Sequence, residues 1–194
     1  MSAGATPLGK GVTHPSVPFR ENWGKLTEKR VGVLLHYDAS SSDASAIRWF
    51  TDPDSRVSYN FLVADSGNVI PIAPQDKRAW HAGCCASDDP RLVYRDANSA
   101  FFGIALAATA GETATREAKR SIAMMCLHCF ALEGWPITEV WRIVSHRSQA
   151  VYCRGHPKAG QRGRKSDPEG NDLAHPVLNT NEIRGMVAAR QIAA

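Results

Sequence analysis

Residues 30–38, RVGVLLHYD, form an apolar run rich in β-branched residues and leucine. Such a run reads as a strand buried on both faces, ending at His36, and strands of that kind sit inside α/β sheets with helices over them. That requirement constrains the chain more than anything else in it. The sequence must supply further strands to flank this one and amphipathic helices to cover them.

It supplies both. Residues 40–53, SSSDASAIRWFTDP, predict a short helix carrying Ile47 and Phe50, capped by Ser42 or Asp43, with Pro53 just past its end. Residues 57–73, VSYNFLVADSGNVIPIA, predict a hairpin: two runs of strand formers flank Asp65, Ser66, Gly67 and Asn68, a typical turn composition. On its first strand Tyr59, Phe61 and Val63 are expected to share a face. Residues 100–110, AFFGIALAATA, predict another buried strand, and residues 113–133 a long helix capped by Thr113 or Thr115. On that helix Ala118, Ile122, Met125, Cys129 and Leu132 recur at spacings of four and three, a core-facing stripe. WRIVSH, residues 141–146, predicts a strand ending at His146, and a last helix spans about 181–192. The expectation is one α/β domain with a central mixed sheet flanked by helices. Its parts are an N-terminal arm over 1–28, packed on the domain or trailing from it, a body over 29–175 and a C-terminal helix within 176–194.

Bulk properties narrow the function. A chain of 194 residues with 43% hydrophobic residues suits one domain with a real core. No stretch of eighteen apolar residues occurs, so no membrane span is expected. The first residues lack the apolar segment of a secretory signal, which predicts synthesis in the cytoplasm whatever the later destination. The formal net charge is +4, with a basic cluster between Arg154 and Lys165. That suits an anionic partner such as a cell wall; no basic stripe interleaved with aromatics points to nucleic acid. Five cysteines without a signal are expected as reduced thiols. Cys126 and Cys129 form a CxxC inside the helical stripe and read as small buried apolar groups.

The chemistry-bearing residues gather at strand ends. Two predicted strands end in histidine, at His36 and His146, and ligand sites in α/β folds open at such edges. A polar loop over 147–172 then delivers Asp167, and loops of that length inside compact domains are usually functional. Two imidazoles and a carboxylate are the donor set of a catalytic zinc site with one open position, although iron and manganese accept similar sets. Spacing alone does not make the trio specific. A strand-end histidine is usually a polar surface residue, and Asp167 before Pro168 can simply start a turn.

Longer segments give that trio its meaning. LLHYDAS, the stretch from AIRWFTDP through DKRAWHAG, NSAFFGIAL, VSH and GRKSDPEG occur in this order. Together they resemble the zinc-dependent N-acetylmuramoyl-L-alanine amidases, the type 2 amidase family, over roughly residues 30–172. The resemblance implies a type 2 amidase fold and one Zn²⁺ per chain held by His36, His146 and Asp167. It implies that Lys165 stabilises the developing oxyanion beside the metal, where a well-placed donor is worth ~3 kcal/mol. Tyr59 falls where the phage-type branch has an active-site tyrosine that positions water or relays its proton. Arg78, His81 and Arg164 fall where related enzymes contact the muropeptide, although His81 could instead support the metal's ligands.

Two departures stand out. The glutamate of the recycling branch's GIEL strand is Ala105 here, which removes that residue as a general base. The family's DPG is DPEG, with Glu169 inserted after the ligand. The implied function is hydrolysis of the bond between N-acetylmuramic acid and L-alanine, by a monomer acting on the wall as a lytic, endolysin-type amidase. A cytoplasmic recycling amidase is the alternative. A non-catalytic peptidoglycan-binding module is disfavoured because all three ligand positions are filled.

Overall fold

The computed structural model describes residues 22–190 except 41, 88, 109–110, 150, 153–156, 162–166, 170–173 and 175. Its centre is a five-stranded mixed sheet, built from β2 (Gly32–Tyr37), β3 (Phe61–Val63), β4 (Val69–Pro71), β6 (Phe101–Leu106) and β7 (Ile143–Ser145). The order is β4-β3-β6-β2-β7, with β4 antiparallel to β3 and every other pairing parallel. A small antiparallel pair, β1 (Trp23–Lys25) with β5 (Lys77–Ala79), lies outside this sheet. The end of the expected arm is therefore packed on the domain.

Strand alternation sorts the core into two sides. Val33 and Leu35 of β2, Phe102, Ile104 and Leu106 of β6 and Ile143 of β7 pack in one cluster with α3 (Arg116–Glu133) and α4 (Thr180–Ala189). The intervening residues point the other way: Leu34, Phe101 and Val144 into one cluster, Ala105 into another with α1 (Asp43–Thr51). His36 follows Leu34 at the two-residue period, so it emerges on the α1 side. Phe101 also ends α2 (Ala97–Ala100), a single helical turn.

The helices form where caps and stripes place them. Ser42 accepts a bond from Ser45 N and starts α1; Thr115 accepts from Ala118 N and starts α3. Ala118, Ile122, Met125 and Cys129 of the stripe are buried, but Leu132 is half exposed. The hairpin turn closes through Gly67 N to Ala64 O and Ala64 N to Asn68 O, with Gly67 at φ 85°. Tyr59 departs from the expected alternation and lies in the cluster of Leu62 and Ala105, not with Phe61 and Val63. Asn60 causes this. Its backbone N–H donates to Gly103 O while its side-chain Oδ1 accepts from Gly103 N, which interrupts the strand pattern one residue before β3.

Among the described residues, cysteine chemistry differs from expectation at Cys84, which is disulfide-bonded. An isolated bridge, Ala86 to Val151, brings its segment against the loop after β7, an approach that no local pattern announces. Cys85, Cys126 and Cys129 are buried, and burial pushes the Cys126 and Cys129 thiols well up. No helix among the described residues is long and apolar enough to cross a membrane.

Candidate metal centre

Three elements deliver the trio to one point. His36 is the fifth residue of β2 and is fully buried. His146 follows β7, its backbone N–H bonded to Leu35 O, and is 2% exposed. Asp167 comes from the loop that returns after β7, its carbonyl accepting from Arg147 N and its peptide bond to Pro168 cis. His36 Nδ1 lies 2.8 Å and His146 Nδ1 3.0 Å from Asp167 Oδ2. One donor atom from each of the three lies within 4.8 Å of the other two.

The protons on these rings can be assigned from their outer partners. His81 Nε2 faces the carbonyl oxygen of Phe101 at 3.3 Å, so that nitrogen carries the proton and His81 Nδ1 is an acceptor. His36 Nε2 lies 3.1 Å from His81 Nδ1 and must then donate to it. His146 Nε2 faces the carbonyl of Ala82 at 3.2 Å and donates there. In neutral imidazoles this leaves both Nδ1 atoms with lone pairs, turned toward a carboxylate oxygen. Three acceptors converging in a buried space are stable only with positive charge among them, and the neutral imidazole, imidazole and carboxylate set fits a divalent metal.

Burial raises the Asp167 carboxyl, but with protons shared from the His146 and His36 rings in place of a cation, their hydrogen bonds outweigh burial and hold the group far below the usual carboxylate range, so it is ionised. A metal at the same point would take the place of those protons. Burial above all pushes His81 well below the ordinary histidine range, so it is neutral and would resist a proton all the more were His36 charged.

Tyr59 also reaches the cluster. Its ring centroid is 4.9 Å from that of His36 and 4.8 Å from that of Phe50. Burial, with Asp167 and Asp38 nearby, raises its phenol far above the usual range, so it keeps its proton. Ala105 pairs in register with His36 and is fully buried, so an apolar methyl stands beside the cluster. His81 is under the cluster rather than at its mouth, only 6% exposed. Arg78 is elsewhere: on β5 its guanidinium grips Asp96 through two bonds of 2.5 and 3.1 Å. Lys165 and Arg164 lie outside the described residues. Glu169, inserted in the DPEG turn, ties that turn to α4: its Oε1 accepts from Thr180 Oγ1 at 2.8 Å, and its carbonyl accepts from Val177 N. Sequence reasoning missed Ala82, whose contribution is a backbone carbonyl and carries no side-chain signal. It also missed Asn98 and Gly103, which lay in plain view in NSAFFGIAL.

An α/β sheet with two imidazoles and a carboxylate meeting at its edge defines a class of protein able to hold a metal at the mouth of a parallel sheet. The chain belongs to the N-acetylmuramoyl-L-alanine amidase family, whose model matches residues 27–170, and it is an amide hydrolase. Solved structures share the fold. AmpD, as a selenomethionine derivative, is 20% identical with a TM-score of 0.63, over 91% of this chain and 94% of that one. AmiD from E. coli is 20% identical with a TM-score of 0.60, over 81% of this chain and 57% of that one. A mutant endolysin from Bacillus subtilis is 19% identical with a TM-score of 0.52, over 71% of this chain and 84% of that one. Among curated proteins none matches the chain.

Proposed function

We propose that this protein is a zinc-dependent amidase cutting the bond between the lactyl group of N-acetylmuramic acid and L-alanine. One Zn²⁺ would be held by Nδ1 of His36, Nδ1 of His146 and the Asp167 carboxylate. The observation carrying this reading is the convergence of His36 Nδ1 and His146 Nδ1 on Asp167 Oδ2, at 2.8 and 3.0 Å. When bound, such an ion lowers the pKa of its water to about 7 and polarises the scissile carbonyl.

The chain's own residues do the remaining work. With Ala105 in place of a carboxylate, Tyr59 is the polar side chain left against His36 on that side of the described site. As a phenol that keeps its proton it acts as a donor, orienting the attacking water or the carbonyl, and not as a base. Lys165 takes the role the resemblance gives it, a cation set against the developing oxyanion. Arg164 and Arg78 are assigned to the muropeptide, Arg78 after exchanging Asp96 for a substrate carboxylate. A cleft of about 610 Å³ starts at Asp38, two residues beyond His36. It runs along α1 past Arg48 and the half-exposed Trp49. It offers room for an extended substrate. AmiD was solved with anhydro-N-acetylmuramic acid-L-Ala-D-γ-Glu-L-Lys, a ligand of that kind.

The net charge of +4 favours the anionic wall itself as the substrate, in a lytic role exercised after release from the cytoplasm, by a monomer. The test is digestion of purified sacculi and, separately, of soluble anhydromuropeptides, with product masses read out. Release of stem peptides with a free L-alanine amine from sacculi is expected. Cleaved glycan strands, or no product from either substrate, would overturn the reading, and turnover of the soluble substrate alone would assign recycling.

A further inference from the structure

Both candidate ligand imidazoles are held from behind by the same two consecutive residues. His36 Nε2 rests on His81 Nδ1, and His146 Nε2 rests on Ala82 O. That pair is pinned in turn by one side chain. Oδ1 of Asn98 accepts from His81 N at 2.9 Å and from Ala82 N at 2.7 Å. Asn98 is 7% exposed and sits in α2, immediately before β6. The His81 ring is fixed from two further directions. Its Nε2 donates to Phe101 O, a carbonyl that also receives Arg30 Nη1. Below it lies Gly103, where an added Cβ would stand 2.7 Å from the ring carbons, so that only glycine leaves the seat open.

We propose that Asn98 is a positioning residue for the metal site. By holding the His81–Ala82 segment, it fixes the tautomer and aim of both His36 and His146, presenting two Nδ1 lone pairs beside Asp167. The inference rests on the metal reading above and goes beyond it, because Asn98 touches neither the metal's ligands nor the substrate. One acceptor serving two adjacent N–H groups makes the effect joint: releasing the segment frees both imidazoles together. Partners that orient metal-bound histidines in this way typically carry 10–100-fold in metal affinity.

The test uses the full chain and zinc alone. Affinity is measured by competition with a chelating indicator at fixed pH and salt, for wild type, Asn98→Ala, Asn98→Asp and His81→Ala. Asn98→Ala and His81→Ala should each bind zinc about 10–100-fold more weakly, while Asn98→Asp, which keeps the double acceptor, should stay within about threefold of wild type. A generic packing role would not be rescued by the aspartate. Imidazole ¹⁵N spectra of the zinc-loaded wild-type chain give a second readout that needs no variant to fold. Protons on Nε2 of His36, His81 and His146 are expected. A proton on Nδ1 of His81, or folded Asn98→Ala protein with wild-type zinc affinity, overturns the inference while leaving the metal reading intact. A wild-type chain that binds no zinc sinks both.

Discussion

Tyr59 stands between Phe50 and His36, its phenol raised far above its ordinary range by burial. The sign of that shift decides its chemistry. A folded-state pKa above the unfolded value keeps the proton on at every pH below about 10, so the hydroxyl adds no titrating limb to the rate profile. Tyr59→Phe should therefore lower kcat by about 10²-fold, the usual effect of one lost donor to a reacting oxygen, equally at every pH from 6 to 9. Steady-state rates on a muropeptide across that range check it. Unchanged kcat would reduce Tyr59 to a packing residue, and a loss confined to one side of the profile would mean that it titrates. Part of this site was readable from residue types. His36 and His146 each close an apolar run, and Asp167 sits in a loop too long to be idle. What could not be read is the orientation of the rings. It depends on the carbonyls of Ala82 and Phe101, and every residue has a carbonyl.

The elements hold the site through a few joints, and the start of α3 is the clearest. Thr115 caps the helix by accepting from Ala118 N, and its hydroxyl also donates to Asp65 O in the hairpin turn. Ser121, further along α3, donates to Gly67 O at 2.6 Å, so helix and turn are locked at two points. Thr115→Ala should cost about 1–2 kcal/mol, at the upper end for a cap because the cap and the tie to the turn are lost together. A lower urea midpoint at unchanged m-value checks this, and an unmoved midpoint would contradict it. β2, β6, α1 and α3 were legible because their apolar periods run for a turn or more, and α4 appears within a few residues of its expected span. β1 and β5 were not. Trp23–Lys25 and Lys77–Ala79 are three-residue strands without a period, formed because two distant segments meet. The misjudged face of Tyr59 has the same origin, since Asn60 breaks the alternation by pairing with a partner 43 residues away.

At the scale of the whole molecule, the sheet is an instrument for bringing residues 36, 146 and 167 to one edge. β2 lies between β6 and β7, so its C-terminal end opens with support on both sides. Both faces are packed with apolar side chains, and the face away from α3 and α4 also carries His36 and Tyr59. The two-residue period of the strands sets which residues fall on each face. The central claim is that two Nδ1 atoms and one carboxylate share a zinc ion. X-ray absorption at the zinc edge, on full-length protein loaded with one equivalent, tests it most directly. The expected spectrum has four light-atom ligands near ~2.0 Å with the outer scattering of two imidazoles. A sulfur shell near ~2.3 Å, or fewer than two imidazoles, would contradict it.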